Sequence, residues 1–110
     1  MAYDDELAER IREVVQDESA VSERRMFGGL AVLVHGNMAV SASSRGGLLL
    51  RIDPAEAESL LDQPHVRRFE MRGRVMDGWL HVGVESLQTD DQLRLWVNHG
   101  LSYARSLPPK

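Results

Sequence analysis

The segment of this sequence best suited to chemistry combines two arginines with a glycine pair, Arg24-Arg25-Met26-Phe27-Gly28-Gly29. Two guanidinium groups can bind a carboxylate or a phosphate, and adjacent glycines let a ligand approach the backbone closely. Phosphate loops, however, run from a strand into a helix, whereas these glycines lead into the strand-like apolar residues 30–34. We therefore favour a structural interpretation, in which Met26 and Phe27 anchor a sheet edge and the glycines form a bulge. A small-ligand or enzymatic site at the Gly28-Gly29 corner is the alternative.

A second segment, residues 68–81, combines arginines with an aromatic residue. Strand alternation predicts one outer hairpin face that carries Arg68, Glu70, Arg72, Arg74, Trp79 and His81. Such a face can bind single-stranded nucleic acid, anchor a protein partner, or hold an internal cation–π pair with salt bridges to Glu70. We rank the internal role first, protein binding second and nucleic acid third, because the set contains a single aromatic and the net charge is −4.

Other catalytic or metal-binding chemistry has little support in the sequence. The absence of cysteine excludes disulfides, thiol catalysis and thiolate metal sites. The serines of residues 41–44 lack a nucleophile elbow. No metal-motif spacing links the histidines, which are His35, His65, His81 and His99. We therefore predict no catalytic residue, no metal site and no cofactor, and we leave open a pairing of His35 with His81 across the sheet.

Composition and length indicate one globular domain. The chain has 110 residues, 43% of them hydrophobic and 27% charged, and a chain of this length buries about two-thirds of its unfolded surface. Acids outnumber arginines in residues 1–23, whereas arginines outnumber acids in residues 24–74, so a local basic face is compatible with the acidic total. The sequence shows neither the pattern of a secretory signal nor an apolar stretch of membrane-spanning length. We expect a cytoplasmic protein without membrane contact.

Helical patterns occur near both ends of the chain and in its middle. Apolar residues at helical spacing predict a first helix over residues 4–17. Asp53-Pro54 is typical of a helix start, and this short helix ends near Leu61. The last helix is predicted to begin at Thr89, with Gln92 as its capping partner, and to end at about Leu107.

Strand patterns lie between these helices. Three antiparallel strands are predicted between Met26 and Ile52, with a turn at Gly36-Asn37 and a looser connection over residues 43–47. Asp77-Gly78 is the clearest turn signal of a second hairpin. Alternation along this hairpin predicts a core face made of Phe69, Met71, Val75, Leu80, Val82 and Val84.

Together these elements predict an α+β fold of two layers, in the order α-β-β-β-α-β-β-α. Helices would cover one face of a five-strand antiparallel sheet. The strand over residues 30–34 is apolar on both faces, and a single helical layer would leave one of these faces exposed. Because an exposed apolar face or edge invites pairing, a homodimer is a further prediction.

Five features occur in order along the chain: Arg24-Arg25-Met26-Phe27-Gly28-Gly29, Gly36-Asn37-Met38-Ala39, Asp53-Pro54, Met71-Arg72-Gly73-Arg74 and a final amphipathic helix. This ordered set resembles the TfoX N-terminal domain family, named after the TfoX/Sxy regulator of bacterial competence. The resemblance covers essentially the whole chain and implies a two-layer fold similar to secretion-chaperone-like domains. Full-length regulators of this kind carry a second, helical C-terminal domain, so we expect residues 1–110 to form a single domain of the N-terminal type. The family has no agreed catalytic residues to carry over.

The resemblance and the lack of a catalytic motif predict a non-enzymatic protein-interaction or regulatory module with an unidentified protein partner. The first alternative is a nucleic-acid-binding regulator that uses the Arg/Trp sheet face. The second is a small-ligand-binding protein or enzyme at the Gly28-Gly29 corner. The candidate partner-binding residues are Arg24, Arg25, Met26, Phe27, Gly28, Gly29, Arg72, Gly73, Arg74, Trp79 and His81.

Overall fold

The computed structural model of the protein describes residues 5–26, 29–44, 46–71 and 73–109. Within these ranges the α+β fold is confirmed, because three α-helices accompany one antiparallel sheet of six strands. The helices are α1 Asp5–Val15, α2 Ala57–Leu61 and α3 Asp90–Ser106. The strands are β1 Val21–Met26, β2 Gly29–Val34, β3 Asn37–Ala42, β4 Leu48–Arg51, β5 Val66–Met71 and β6 Arg74–Val82. No helix in the described ranges has the length and apolar character needed to cross a membrane.

The strands lie in the order β1-β2-β3-β4-β6-β5, so β1 and β5 form the two edges of the sheet. The sequence pattern predicts five strands, and β1 is the one that it misses. Residues 22–25 are polar and exposed, so this strand lacks the apolar alternation by which a half-buried strand is recognised. An edge strand tolerates such a composition, and charged side chains are common there.

The main core lies between the sheet and the helices α1 and α3. Ile11 of α1 is 1% exposed, and Leu80 and Val82 are buried on this face of β6 as predicted. Helix α3 approaches the sheet closely because Gly100 has no side chain. A Cβ atom at this position would come within 2.5 Å of the Ala39 carbonyl oxygen.

The helix starts follow the predicted capping signals. The Asp53 side chain accepts a hydrogen bond from the Ala55 N–H at the start of the short 3-10 turn Pro54–Glu56, which leads into α2. At the start of α3, the Thr89 hydroxyl accepts from the Gln92 N–H at 3.1 Å. The Gln92 side chain accepts in return from the Thr89 N–H, so the predicted capping box is confirmed.

The opposite face of the sheet is also buried, so the prediction of an exposed apolar face is wrong. A second cluster, with no member more than 8% exposed, consists of Ala31, Leu33, Met38, Leu49 and Phe69. Met76 and Trp79 pack against this second cluster. Since Phe69, Met76 and Trp79 belong to β5 and β6, the hairpin covers this face within one chain. The exposed face on which the homodimer was predicted is therefore absent from the part of the chain that the structure describes.

The turn between β2 and β3 lies one residue before the predicted Gly36-Asn37. Val34 pairs with Asn37, so the turn consists of His35 and Gly36, with φ angles of 51° and 82°. Two positive φ angles are the requirement of a type I′ turn. Asn37 belongs to β3, is 2% exposed, and donates from Nδ2 to the Pro108 carbonyl oxygen at 2.9 Å. This buried amide ties the residues after α3 to the sheet.

The second hairpin does not turn at the predicted Asp77-Gly78. Met71 pairs with Arg74, which places the turn between these two residues, and Asp77-Gly78 lies inside β6 at a register shift. Gly78 has a φ angle of 81°, and its carbonyl accepts from the Ile52 N–H at 2.9 Å. Ile52 follows β4 and is distant from Gly78 in the sequence. The local turn signal of Asp77-Gly78 carries no information about this contact, so it predicts the wrong position for the turn.

The register shift also changes the faces of several hairpin residues. Phe69 belongs to the second cluster and not to the helix-side core, so its predicted face is wrong. Val75 and Val84 are 47% and 45% exposed, although alternation from Asp77-Gly78 predicts that both are buried. Met71 was predicted in the same core face, and its side chain lies outside the described residues.

Candidate partner-binding surface

Ion pairing divides nine of the ten described arginines into two groups, and the tenth, Arg51, lies over the rings of Trp79 and Tyr103. Five of them have carboxylate partners: Arg10 with Asp90, Arg12 with Glu9 and Glu23, Arg68 with Glu58, Arg94 with Asp91, and Arg105 with Glu18. Four are exposed and form no ion pair or side-chain hydrogen bond with any residue that the structure describes; these unpaired arginines are Arg24, Arg25, Arg67 and Arg74. The unpaired group lies entirely on the strands β1, β5 and β6.

Two of the unpaired arginines project from opposite faces of the edge strand β1. Arg25 pairs with Leu30, which belongs to the helix-side core, and Arg24 pairs with Ala31, which belongs to the second cluster. Directly opposed residues of antiparallel strands share a face. Arg25 therefore lies on the helix side and Arg24 on the other side, so β1 presents a guanidinium group on each face.

The neighbouring Glu23 is bound to helix α1. It accepts from Arg12 Nε at 2.8 Å and from Arg12 Nη2 at 3.0 Å, and Arg12 also pairs with Glu9. These hydrogen bonds hold the pKa of the Glu23 carboxyl below its ordinary value of 4.5. The ion pair links β1 to α1, and Arg24 and Arg25 beside it form no ion pair with any residue in the described ranges.

We predict that the contribution of this ion pair to stability depends on pH. Because the pKa of Glu23 is lower in the folded state than in the unfolded state, the contribution is fully present above the ordinary pKa and is lost as the pH falls through the folded pKa. Arg12→Gln should therefore lower the urea midpoint at neutral pH, and the difference from wild type should vanish in acid. Arg94→Gln, in a 4.0 Å pair with the exposed Asp91, is the control and should have a smaller effect at neutral pH. A difference for Arg12→Gln that persists unchanged in acid would contradict this assignment.

The glycine corner of the sequence motif has a structural explanation at Gly29. A Cβ atom on Gly29 would lie far inside contact distance of the Ala42 carbonyl oxygen and 3.0 Å from Ser41 Oγ. Gly29 thus allows close approach of the neighbouring backbone. It pairs with Met26 in a continuous register, so the predicted bulge is absent at Gly29. Phe27, Gly28 and the side chain of Met26 lie outside the described residues.

A groove runs beside the other edge strand, β5. One cavity of about 390 Å³ and a second of about 360 Å³ share two lining residues, Arg67 and His81. These two residues face each other across β5 and β6. The apolar wall of the first cavity includes Val75, whereas Gly46 and Gly47 line the second. The groove therefore contains an unpaired arginine, Arg67, next to both polar and apolar lining residues.

His81 lies on the floor of this groove and does not project from the surface. It is 8% exposed, and its Nε2 donates to the Gly46 carbonyl oxygen at 2.6 Å. A carbonyl can only accept, so this bond assigns the proton to Nε2. The sequence pattern predicts His81 on the outer hairpin face, whereas the structure shows a buried, hydrogen-bonded side chain. His35 lies in the turn between β2 and β3, and no group of three or more metal-binding side chains occurs among the described residues.

Trp79 is engaged within the fold. Its ring packs against the second cluster, and the Arg51 guanidinium carbon lies 5.6 Å from the ring centroid. The same guanidinium lies 5.7 Å from the ring of Tyr103 on α3. An internal cation–π pair is therefore present at Trp79, but its cation is Arg51 of β4 and not one of the hairpin arginines that the sequence pattern predicts.

A family model for the TfoX N-terminal domain matches residues 13–104. This chain belongs to the TfoX N-terminal domain family. The matched region extends from α1 into α3 and includes all six described strands. No curated protein and no solved structure shows a significant match to the chain.

In this TfoX N-terminal domain, the predicted site residues lie in separate places. β1, which carries Arg24 and Arg25, and β6, which carries Arg74, have three strands between them in the sheet. Gly73 is exposed in the turn before β6, and Arg72 lies outside the described residues. The structure therefore divides the predicted surface into a β1 part and a hairpin part.

Arg67 is a candidate residue that the sequence analysis does not identify. A turn at Asp77-Gly78 would pair Arg74 with His81, whereas the observed register pairs Arg67 with His81. Gly73 is the sequence signal that could have identified Arg67. Glycine favours the positive φ angle that many turns require, and Gly73, with a φ angle of 77°, lies in the observed turn, five residues before Gly78.

Proposed function

We propose that this TfoX N-terminal domain is a non-enzymatic, regulatory protein-interaction module, and that its unpaired arginines bind carboxylates of a protein partner. The observation that carries this proposal is the division of the arginines into paired and unpaired groups. Arg10, Arg94 and Arg105 have carboxylate partners in the same chain, whereas the unpaired arginines lie on the strands. Membership of a family named for a competence regulator supports a regulatory role.

Unpaired arginines suit recognition for a physical reason. A guanidinium that already has an intramolecular carboxylate must exchange it for the partner's carboxylate, which yields little net free energy. An exposed, unpaired guanidinium gains two charge-assisted hydrogen bonds and gives up only water. Arginine is accordingly enriched at protein interfaces and among the residues that dominate their binding energy.

Nucleic-acid binding is less well supported by the same surface. Phosphates could also bind Arg24 and Arg25, but single-strand platforms need aromatic rings on which bases stack. Trp79 packs against the second cluster, and Arg51 lies over its ring. The aromatic residue of the predicted platform is therefore already occupied, so we expect a protein partner.

The test is capture of the partner from native extract with the tagged full chain, followed by chemical cross-linking to locate the contact. Wild type is compared with Arg24→Ala/Arg25→Ala/Arg67→Ala/Arg74→Ala, with and without nuclease. The control Arg10→Ala/Arg68→Ala/Arg94→Ala/Arg105→Ala has the same net charge as the test variant but retains the unpaired arginines. We expect a nuclease-resistant protein that wild type and control recover, that the test variant loses, and that cross-links to the strand edges. Recovery that is equal for all three chains, or that nuclease abolishes, would contradict the proposal.

A further inference from the structure

We propose that the outer edge of β1 binds an extended acidic segment of the partner, which adds to the sheet as a further strand. This inference rests on the proposed function and specifies the chemistry and the binding mode of the partner. Three properties of β1 support it: outward backbone groups that form no hydrogen bond with any described residue, a regular register with exposed side chains, and the position of its two unpaired arginines.

The hydrogen-bonding pattern of β1 identifies the backbone groups that point away from β2. His35 N–H donates to the Ala20 carbonyl oxygen at 3.0 Å, and the register from Val21↔Val34 to Met26↔Gly29 has no shift. Antiparallel strands alternate between hydrogen-bonded and non-hydrogen-bonded pairs. The residues of β1 whose backbone groups form hydrogen bonds with β2 are therefore Ser22, Arg24 and Met26. The outward N–H and C=O groups belong to Val21, Glu23 and Arg25.

The other edge of the sheet is less suited to strand addition. In β5 the register with β6 shifts between Arg68 and Glu70, and such irregularities interrupt the even spacing that an added strand needs. In β1 the four central residues, Ser22 to Arg25, are all exposed and the register is continuous. Of the two edges, β1 therefore offers the longer regular template.

The charges on β1 favour an added strand that carries acidic side chains. Arg24 and Arg25 lie on opposite faces, so an added strand would meet them with two consecutive side chains, one on each face. Consecutive acidic residues would place one carboxylate opposite each guanidinium. Glu23 does not oppose this arrangement strongly, because its carboxylate is already bound by Arg12.

Two of the registers in which a second copy of this chain would pair with the same edge are disfavoured. Antiparallel pairing of two β1 strands requires a two-fold axis perpendicular to the sheet, and the residue on that axis faces its own copy. An axis on Glu23 opposes two carboxylates and an axis on Arg25 opposes two guanidinium groups, whereas an axis on Arg24 also pairs Glu23 with Arg25 of the other copy, and an axis on Ser22 opposes no like charges. Like charges directly opposite each other destabilise a strand pair. Registers centred on Glu23 or Arg25 are therefore disfavoured, whereas an acidic strand places a carboxylate opposite both guanidinium groups at once; sedimentation tests the remaining self-paired registers.

The test uses the purified 110-residue chain and a capped peptide probe, Thr-Val-Asp-Asp-Val-Thr, with binding followed by fluorescence anisotropy. We expect saturable binding that Arg24→Ala/Arg25→Ala weakens by about tenfold, as expected when charge-assisted contacts worth about 1.4 kcal/mol are lost. Arg94→Ala/Arg105→Ala, with the same change in net charge, should leave the affinity unchanged. A Lys-Lys version of the peptide should not bind.

N-methylation of the peptide distinguishes strand addition from simple charge attraction. Alternate amides of an added strand point towards β1, so methylation of one alternate set should abolish binding and methylation of the other set should not. Equal binding by both methylated peptides, or no binding by the parent peptide, would overturn the inference. If capture of a partner still depends on the unpaired arginines in that case, the proposed function stands and only the binding mode fails. Sedimentation as a dimer that Arg24→Ala/Arg25→Ala dissociates would also overturn it, since the edge would then bind a second copy.

Discussion

Phe69→Ala is expected to destabilise the domain by about 3–5 kcal/mol, the range for removal of a buried aromatic ring. Phe69 is 8% exposed and packs in the second cluster with Leu33 and Met38 of the central strands. Its removal leaves a cavity between the β5–β6 hairpin and the sheet that the hairpin covers. The change should appear as a lower urea midpoint with an unchanged dependence of unfolding free energy on urea concentration.

Val75→Ala is the matched control, because Val75 belongs to the same hairpin but is 47% exposed. We expect it to change stability by no more than about 0.5 kcal/mol, as is usual at surface positions. The comparison tests whether the hairpin closes the second face of the sheet. Equal effects of the two substitutions would show that it does not, and the apolar face would again become a candidate for homodimer formation.

Gly29→Ala is expected to destabilise the domain by about 1–3 kcal/mol, the usual cost of overpacking. The new methyl group would collide with the Ala42 carbonyl oxygen, a backbone atom that moves only if the sheet moves. The loss should be measured by urea unfolding of the purified chain without any added ligand. Ser22→Ala, at an exposed position of β1, serves as the control and should be close to neutral.

This prediction also decides between the two interpretations of the glycine corner. If Gly29 serves the packing of β2, stability falls whether or not a partner is present. If Gly29→Ala folds as stably as wild type, the glycine has another purpose, and a ligand site at this corner regains support.

Local signals predicted the parts of the fold that depend on local interactions. The capping box of Thr89 and Gln92 and the helical stripe of α1 involve residues within a few positions of one another. The turn at Asp77-Gly78 was placed wrongly because the deciding contact, from Gly78 to Ile52, is distant in sequence. β1 was missed because its exposed polar residues form a strand only by pairing with β2.

For the candidate surface too, residue types could be predicted from the sequence, whereas the ion pairs depend on the fold. Residue types identified Arg24, Arg25 and Arg74 as cations that could bind a partner. Their pairing state depends on the fold, because carboxylates reach other arginines from far along the chain. Arg12 and Glu23 are 11 positions apart, and Arg105 and Glu18 are 87 positions apart.

The measurement that tests the account most directly is the dissociation constant of the captured partner for charge-matched double variants. Arg24→Ala/Arg25→Ala and Arg67→Ala/Arg74→Ala each remove unpaired arginines, whereas Arg94→Ala/Arg105→Ala removes the same charge from paired ones. We predict that at least one of the first two weakens binding by about tenfold or more, equivalent to about 1.4 kcal/mol, and that the third stays within about twofold of wild type. Equal weakening by all three would show that net charge governs binding, and would contradict the assignment of recognition to the unpaired arginines.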